Sequence, residues 1–223
     1  MKTFTTVLSS TVAASLCTAL LVLSASAQMA VDDPSKPVKP GAVRVTTKAP
    51  EPDKWLGQRS ANGMVRSFKC KELACPDATT VTISFAKSPT RHPDPQALEK
   101  FAKVDLPKSI RALDASREIL SDGLEKVETV SSETATLKGY PAVVAENKFT
   151  RGKTATYLDV AIVFAGPLMI RLNSISQNRD FAKKTLDQFV EVMNIEEGPP
   201  LPPGSPPPGT PPGAKPVDSK NSI

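Results

Sequence analysis

The sequence predicts an α+β domain in which one antiparallel sheet is covered on one face by helices, with disordered proline-rich tails on either side. Three strand-like runs with alternating apolar residues predict the sheet: Ala142–Thr150, Thr154–Phe164 and Leu168–Ile175. Apolar side chains recur at helical spacing from Asn178 to Met193, so a closing amphipathic helix with Asn178 as its N-cap is expected. Strands followed by helices, then a strand meander and a last helix, are typical of α+β domains.

The N-terminal segment Met1–Ala27 has the features of an export signal. Lys2 is its one cation, an uncharged and increasingly apolar run follows, and Ala25-Ser26-Ala27 supplies a small-x-small cleavage site before Gln28. A retained membrane anchor is the alternative, although serine and threonine dilute the apolar run. We therefore expect a periplasmic or secreted protein with no stable membrane span after cleavage.

Proline is concentrated at both ends of the mature chain. Residues Gly198–Ala214 hold nine prolines and four glycines, a composition that favours extended polyproline II and cannot form a packed core. Gln28–Lys54 is also rich in proline and mixed charges. The sequence thus predicts a linker at 28–54, a disordered tail at 198–223 and a single folded domain at 55–197, about 140 residues long, a common domain size.

Composition argues against several functions. The formal net charge is +5, and cations alternate with carboxylates, whereas a nucleic-acid-binding domain usually shows a basic patch. The chain's one histidine, His92, lies in a proline-rich turn, and a Ser-His-Asp triad needs histidine as its base. No glycine-rich phosphate loop is present. We expect no nucleic-acid partner, no cofactor and no metal.

The mature chain retains two cysteines, Cys70 and Cys75. An even pair at short spacing in an exported protein favours a disulfide. Free thiols and a metal site are the alternatives, the latter short of further ligands. Met64–Lys69 and Thr79–Phe85 on either side of the pair read as a hairpin, and helical segments follow near Leu98 and Pro107.

The meander should present one apolar and one polar face, because side chains alternate along a strand. We expect the apolar residues of its last two strands to face the core together: Leu158, Val160, Ile162 and Phe164, with Leu168, Ile170 and Leu172. A three-residue loop at Ala165–Pro167 would produce this arrangement and place Arg171 diagonally across from Asp159.

The opposite face supplies the candidate ligand-binding residues, namely Glu146, Lys148, Tyr157, Asp159, Arg171 and Asn173. Three interpretations stay open. The residues form a solvated surface with cross-strand ion pairs, a binding surface for a polar ligand, or a hydrolase site in which Glu146 and Asp159 act as the two carboxylates on a glycan.

Residues Gly139–Met193 read GYPAVVAENKFTRGKTATYLDVAIVFAGPLMIRLNSISQNRDFAKKTLDQFVEVM. This stretch resembles the second half of PsbP-like domains, with a Gly-x-Pro-Ala-like strand start, a long central hairpin and a terminal amphipathic helix. The resemblance implies a PsbP-like sandwich and an exported, non-enzymatic binding or assembly factor of the bacterial envelope. The partner would be an envelope protein or polymer. No functional residue is implied by the resemblance, and a glycan-directed hydrolase using Glu146 and Asp159 is the alternative function.

Overall fold

The computed structural model describes residues 36–90, 93–110 and 125–202, with only the backbone of Glu125 included. The predicted export signal, His92 and the chain beyond residue 202 lie outside this part. The corresponding expectations therefore stay predictions.

A seven-stranded antiparallel sheet dominates the structure, with the strand order β2-β3-β4-β8-β7-β6-β5. A separate two-stranded sheet pairs β1 with β9. The strands are β1 Val43–Thr46, β2 Trp55–Arg59, β3 Val65–Cys70, β4 Thr80–Lys87, β5 Glu125–Leu137, β6 Tyr140–Arg151, β7 Thr154–Ala165, β8 Leu168–Ser176 and β9 Asn194–Glu197. The three runs of the predicted meander correspond to β6, β7 and β8, so the antiparallel sheet of the predicted fold class is confirmed.

Two of the helices in the described part of the chain begin at a side-chain cap. Helix α1, Pro95–Lys100, starts at Asp94, whose carboxylate accepts a hydrogen bond from the Ala97 N–H at 2.8 Å. A π-helical turn, Phe101–Asp105, and helical residues 106–110 continue it. Helix α2, Arg179–Val192, starts at Asn178, whose side-chain oxygen accepts from the Phe181 N–H at 3.0 Å. The Asn178 cap is therefore as the sequence predicts. A short 3-10 helix occupies Pro52–Lys54.

Helices lie against both faces of the sheet rather than one. On one face, Leu186 and Phe189 of α2 share a hydrophobic cluster with residues such as Val163 and Ile170. On the other, Leu98 and Ala102 pack with alternate residues of the same strands, including those of β7. The expectation of helices on one face only is therefore wrong, because β7 is buried on both of its sides from Leu158 to Ala165.

The turn between β7 and β8 explains a second difference. Ala165 pairs with Leu168, so the loop contains two residues, Gly166 and Pro167, instead of the three that we expected. A shift of one residue moves every side chain of a strand to the other face. The two apolar sets that we expected on a common face are consequently buried in opposite clusters.

The N-terminal linker predicted at 28–54 is partly folded. Val43 and Val45 of β1 are buried in the cluster beneath α2, and β1 pairs with β9 over four residues. The Gly41 N–H donates to the Pro199 carbonyl at 2.8 Å, and the Gly198 N–H donates to the Ala42 carbonyl at 2.9 Å. The ordered domain therefore includes both β1 and the first residues of the predicted tail, beyond the limits of 55 and 197 that composition indicated.

Aromatic rings join the N-terminal strands to α2. The Phe189 ring lies 5.1 Å from that of Trp55 in an edge-on arrangement and 5.0 Å from that of Phe68, measured between centroids. Phe189 is 1% exposed. Since aromatic pairs of this kind add to the free energy of burial, this ring anchors the C-terminal half of α2.

The predicted hairpin and disulfide are both present. Strands β3 and β4 pair in an antiparallel register. Cys70, at the end of β3, is bonded to Cys75, with the two Cα atoms 6.2 Å apart. The bridge closes the loop between the two strands, in the place that the sequence indicates.

Candidate functional site

The six predicted ligand-binding residues do not share one face. Glu146 pairs with Asp159, and Lys148 pairs with Tyr157, so these four side chains project from β6 and β7 on the face that carries α2. The other two, Arg171 and Asn173, lie opposite Ile162 and Val160 on the other face. The predicted contact between Arg171 and Asp159 is therefore wrong, and its cause is the one-residue shift at the Gly166-Pro167 turn.

Asp159 is the most unusual ionisable residue on the α2 face. It is 5% exposed, and within the described part of the chain its Oδ2 atom has no hydrogen-bond partner. Burial, followed by the neighbouring charge of Glu146, raises the pKa of Asp159 to about 7. Lys183 and Arg179 of α2 act in the opposite direction but do not compensate. Asp159 therefore holds its proton far closer to neutral pH than an ordinary aspartate.

Ser174 continues this polar row on β8. It lies directly opposite Asp159 and is completely buried, and no partner within the described ranges reaches its hydroxyl oxygen. Glu146, Asp159 and Ser174 thus form a row across three strands near the start of α2. Unpaired buried polar atoms are uncommon and costly in native proteins.

Glu146 is used as an anchor for α2. Arg179, the first residue of the helix, donates from Nε and Nη2 to the two carboxylate oxygens of Glu146 at 2.6 and 3.0 Å. The Glu146 side chain is only 13% exposed. A bidentate arginine–carboxylate pair fixes both partners in orientation, so this carboxylate holds the helix to the sheet.

Asp77, a residue not expected from the sequence to have a role, provides a second attachment for the start of α2. Its Oδ2 atom accepts from the Ser176 hydroxyl at 2.7 Å and from the backbone N–H groups of Gln177 and Asn178 at 2.5 and 3.0 Å. Burial acts to raise the pKa of Asp77, but these bonds and one from Thr79 lower it overall. The position of Asp77, two residues after the second cysteine of a predicted disulfide loop, is the only sequence signal that could have suggested it.

Over the other half of the sheet, the opposite face lies outside the hydrophobic cluster that packs against α1. Side chains of β2, β3, β4 and β8 form three rows there, and all of them are half-exposed or exposed. The rows are Leu56–Lys69–Thr80–Ile175, Gln58–Ser67–Thr82–Asn173 and Val65–Ser84–Arg171. We call these residues the Arg171 face. Hydroxyl and amide groups predominate, Lys69 and Arg171 are cations, and none of the eleven residues is acidic.

Arg171 is held in place by its neighbour on the same strand. Its Nε atom donates to the side-chain oxygen of Asn173 at 3.0 Å, and burial lowers the pKa of its guanidinium group. No carboxylate within the described ranges pairs with it. A partly desolvated guanidinium without a counter-ion is an arrangement that favours an anionic ligand.

A groove lies beside the edge strand β5, at a place that the sequence did not indicate. It has a volume of about 870 Å³ and is lined by Val127–Ser132 together with Lys103 and Pro107. The register of β5 shifts between Thr129 and Ser131. Asn147 is completely buried next to this bulge, and its side-chain oxygen accepts from the Thr129 hydroxyl at 3.0 Å. None of the six predicted residues lines the groove.

Neither a metal site nor a membrane-spanning helix is found in the described ranges. No three histidine, cysteine, aspartate or glutamate residues there are grouped so that they could hold a metal ion. No helix there has both the length and the apolar character needed to cross a membrane.

No protein-family model matches this chain, and no curated protein matches it in sequence. In fold, the chain is similar to the solution structure of cyanobacterial PsbP (CyanoP) from Synechocystis sp. PCC 6803. That likeness has 12% sequence identity and a TM-score of 0.48, and covers 70% of this chain and 94% of that one. It is also similar to LpqN of Mycobacterium tuberculosis, which is involved in cell envelope biogenesis, with 16% identity, a TM-score of 0.44 and coverage of 70% and 86%. Both likenesses concern the fold alone and are at low sequence identity.

Proposed function

We propose that this chain is an exported, non-enzymatic binding or assembly factor of the bacterial envelope. The observation that carries the proposal is the Arg171 face. It is a sheet surface of partly exposed and exposed residues, with hydrogen-bonding side chains and two cations, and none of its eleven residues is acidic. A surface of this kind can bind a large polar partner without any cleft.

The six predicted residues then divide into two roles. Arg171 and Asn173 are the ligand-binding pair. Glu146 and Asp159 lie at the junction of the sheet with α2, where they determine how firmly the helix is held, and Lys148 with Tyr157 borders that junction. The division follows from the register, which puts the two groups on opposite faces.

Export is the second part of the proposal, and Met1–Ala27 supports it together with the Cys70–Cys75 disulfide. Disulfides persist mainly in oxidising compartments. The intact mass of the protein recovered from the envelope fraction tests this. A chain that begins at Gln28 is expected, whereas retention of Met1–Ala27 would indicate a membrane anchor.

Binding is tested by capture from an envelope extract with the immobilised mature protein, followed by identification of what is retained. We expect specific retention by the wild-type protein and its loss when Arg171 and Asn173 are both replaced by alanine. The double variant must show the wild-type melting temperature for the loss to count. Equal retention by both proteins would remove the Arg171 face from the proposal.

A glycan-directed hydrolase is the second candidate, and one observation favours it. Asp159, with a pKa of about 7, lies beside Glu146, and a carboxyl group with a raised pKa next to a second carboxylate is the usual arrangement in glycosidases. Against it, Asp159 is buried and Glu146 is bound by Arg179. Release of reducing ends from a glycan by the wild-type protein but not by Glu146→Gln would establish this alternative.

A further inference from the structure

The guanidinium group of Arg171 is oriented but unneutralised. The side-chain oxygen of Asn173 accepts a hydrogen bond from the Nε atom of Arg171. The outer edge of the group, formed by Nη1 and Nη2, has no acceptor in the described part of the chain. Since arginine presents its N–H groups as a planar fork, this edge matches a carboxylate in two parallel hydrogen bonds. The charge is partly buried, so an arriving anion would be attracted more strongly there than at a fully solvated lysine.

The side chains around Arg171 are suited to hydroxyl groups. Ser84 lies directly opposite Arg171, and Thr82 lies opposite Asn173 in the next row. Ser67 and Gln58 continue that row to the edge of the sheet. These groups both donate and accept hydrogen bonds, so a ligand rich in hydroxyl groups can be bound along the row.

A second cation lies farther along the same face. Lys69 is two strands and four residues away from Arg171 in the pairing register. With strands about 4.8 Å apart and a rise of about 3.4 Å per residue, the two Cα atoms are about 17 Å apart. Exposed Leu56 and Ile175, at 54% and 41% exposure, stand at the two ends of the Lys69 row. One extended polymer can therefore contact both cations and the polar row between them.

We infer that the Arg171 face binds an acidic polysaccharide, with Arg171 and Lys69 on carboxylate groups of the sugar chain and the Ser67–Thr82–Asn173 row on its hydroxyl groups. Charge complementarity selects this partner, because the only charged residues among the eleven of this face are the cations Lys69 and Arg171, and six of the others are neutral polar residues. The inference rests on the proposed binding function and adds the class of partner.

The test measures binding of oligogalacturonate, a carboxylated sugar chain, to the mature protein at low salt by calorimetry. The variant Arg171→Met keeps the length of the side chain and removes its charge. We expect it to weaken binding at least tenfold, because hydrogen bonds to a charged group are stronger than neutral ones. Lys69→Ala should weaken binding less, since its ammonium is exposed.

The matched control is Lys153→Ala, which removes one positive charge from the turn between β6 and β7, away from this face. It should bind like the wild type. Equal weakening by Lys153→Ala and Arg171→Met would overturn the inference, because net charge alone would then explain the binding. Circular dichroism and the melting temperature must be unchanged in Arg171→Met, and Asn173→Ala provides a second variant that releases Arg171 without removing its charge.

Two further probes separate this inference from the proposed function. Uncharged dextran of similar length should not bind. Poly-L-glutamate should bind more weakly than oligogalacturonate, and equal or tighter binding would replace the polysaccharide by an acidic polypeptide. Oligogalacturonate binding that does not depend on Arg171 would overturn the inference. Arg171-dependent capture of another envelope component would in that case leave the proposed binding function standing.

Discussion

Replacement of Asp159 by asparagine is the most informative perturbation of the sheet beneath α2. Asp159 is 5% exposed and its pKa is raised to about 7 from the ordinary value of 3.8, first by burial and then by Glu146. The folded state therefore holds this proton more tightly than the unfolded state does. The stability that protonated Asp159 contributes is complete below about pH 4, declines as the pH rises toward 7 and is lost above it.

The size of the effect follows from the shift. A displacement of about three pKa units corresponds to about 4 kcal/mol at 1.36 kcal/mol per unit. Local relaxation and water penetration around an ionised buried carboxylate reduce the penalty on its charged form, so we expect about half of this, about 2 kcal/mol. Asp159→Asn cannot ionise. The free energy of unfolding of Asp159→Asn minus that of the wild type should therefore be about 2 kcal/mol larger at pH 8 than at pH 4.5.

Urea denaturation at several pH values between 4.5 and 8 measures this difference directly. The comparison with the wild type is needed because other groups, Asp77 among them, also make stability depend on pH. Glu128→Gln is the control, since Glu128 is an exposed carboxylate on β5 that pairs with Lys126, and the free energy difference for this variant should change little over the same range. A free energy difference between Asp159→Asn and the wild type that stays constant across the range would refute the reasoning.

Three other outcomes are expected. Phe189→Ala should lower the free energy of unfolding by about 3 to 5 kcal/mol, because its buried ring is packed against two others, and a loss below 1 kcal/mol in urea denaturation would contradict the packing. Replacing Cys70 and Cys75 by alanine should cost about 2 kcal/mol from the small loop, with folding retained by circular dichroism, and peptide mapping without reductant should show the bridge in the wild type. Deleting residues 203–223 should leave the melting temperature within about 4 °C, whereas deletion from Gly198 should lower it further because Gly198 bonds to the N-terminal segment.

The elements that the sequence predicted correctly are those whose signal is local. The strands β6, β7 and β8 follow from alternation and from the glycines of the turns, and the start of α2 follows from Asn178 as a cap. The disulfide follows from an isolated cysteine pair. Each of these depends on residues within about a dozen positions of one another, where backbone preferences and side-chain spacing act directly.

The faces were harder to predict than the strands. A loop of two residues in place of three exchanges the faces of β8 relative to β7. Both loop lengths fit the alternation of apolar residues in the two strands equally well. The run from Val160 to Ala165 did contain a signal, because six consecutive apolar residues favour a strand buried on both sides. Strand β7 is covered on both faces. The apolar residues of β8 can therefore face α2, while the apolar residues on the opposite face of β7 pack against α1.

The pairing of β1 with β9 could not be predicted from composition. These strands have four residues each and lie about 150 positions apart in the chain, Val43 facing Glu197, so no local pattern links them. The prolines around them, which suggested disorder, lie outside both strands, and Pro52 begins the 3-10 helix Pro52–Lys54. Proline density indicates where regular secondary structure is interrupted, and buried valines such as Val43 and Val45 decide whether the segment still folds.

The split of the polar residues between two faces bears on both proposed functions. A hydrolase needs its two carboxylates at a solvent-accessible place, but here one carboxylate is bound by Arg179 and the other is buried under the same helix. Arg171, which the predicted strand register placed diagonally across from Asp159, instead lies on the opposite face, where Asn173 orients it. The two-residue turn Gly166-Pro167 thus puts Arg171 on the face opposite Glu146 and Asp159. No acidic residue is among the eleven described residues of the Arg171 face, and this arrangement supports the proposed binding function.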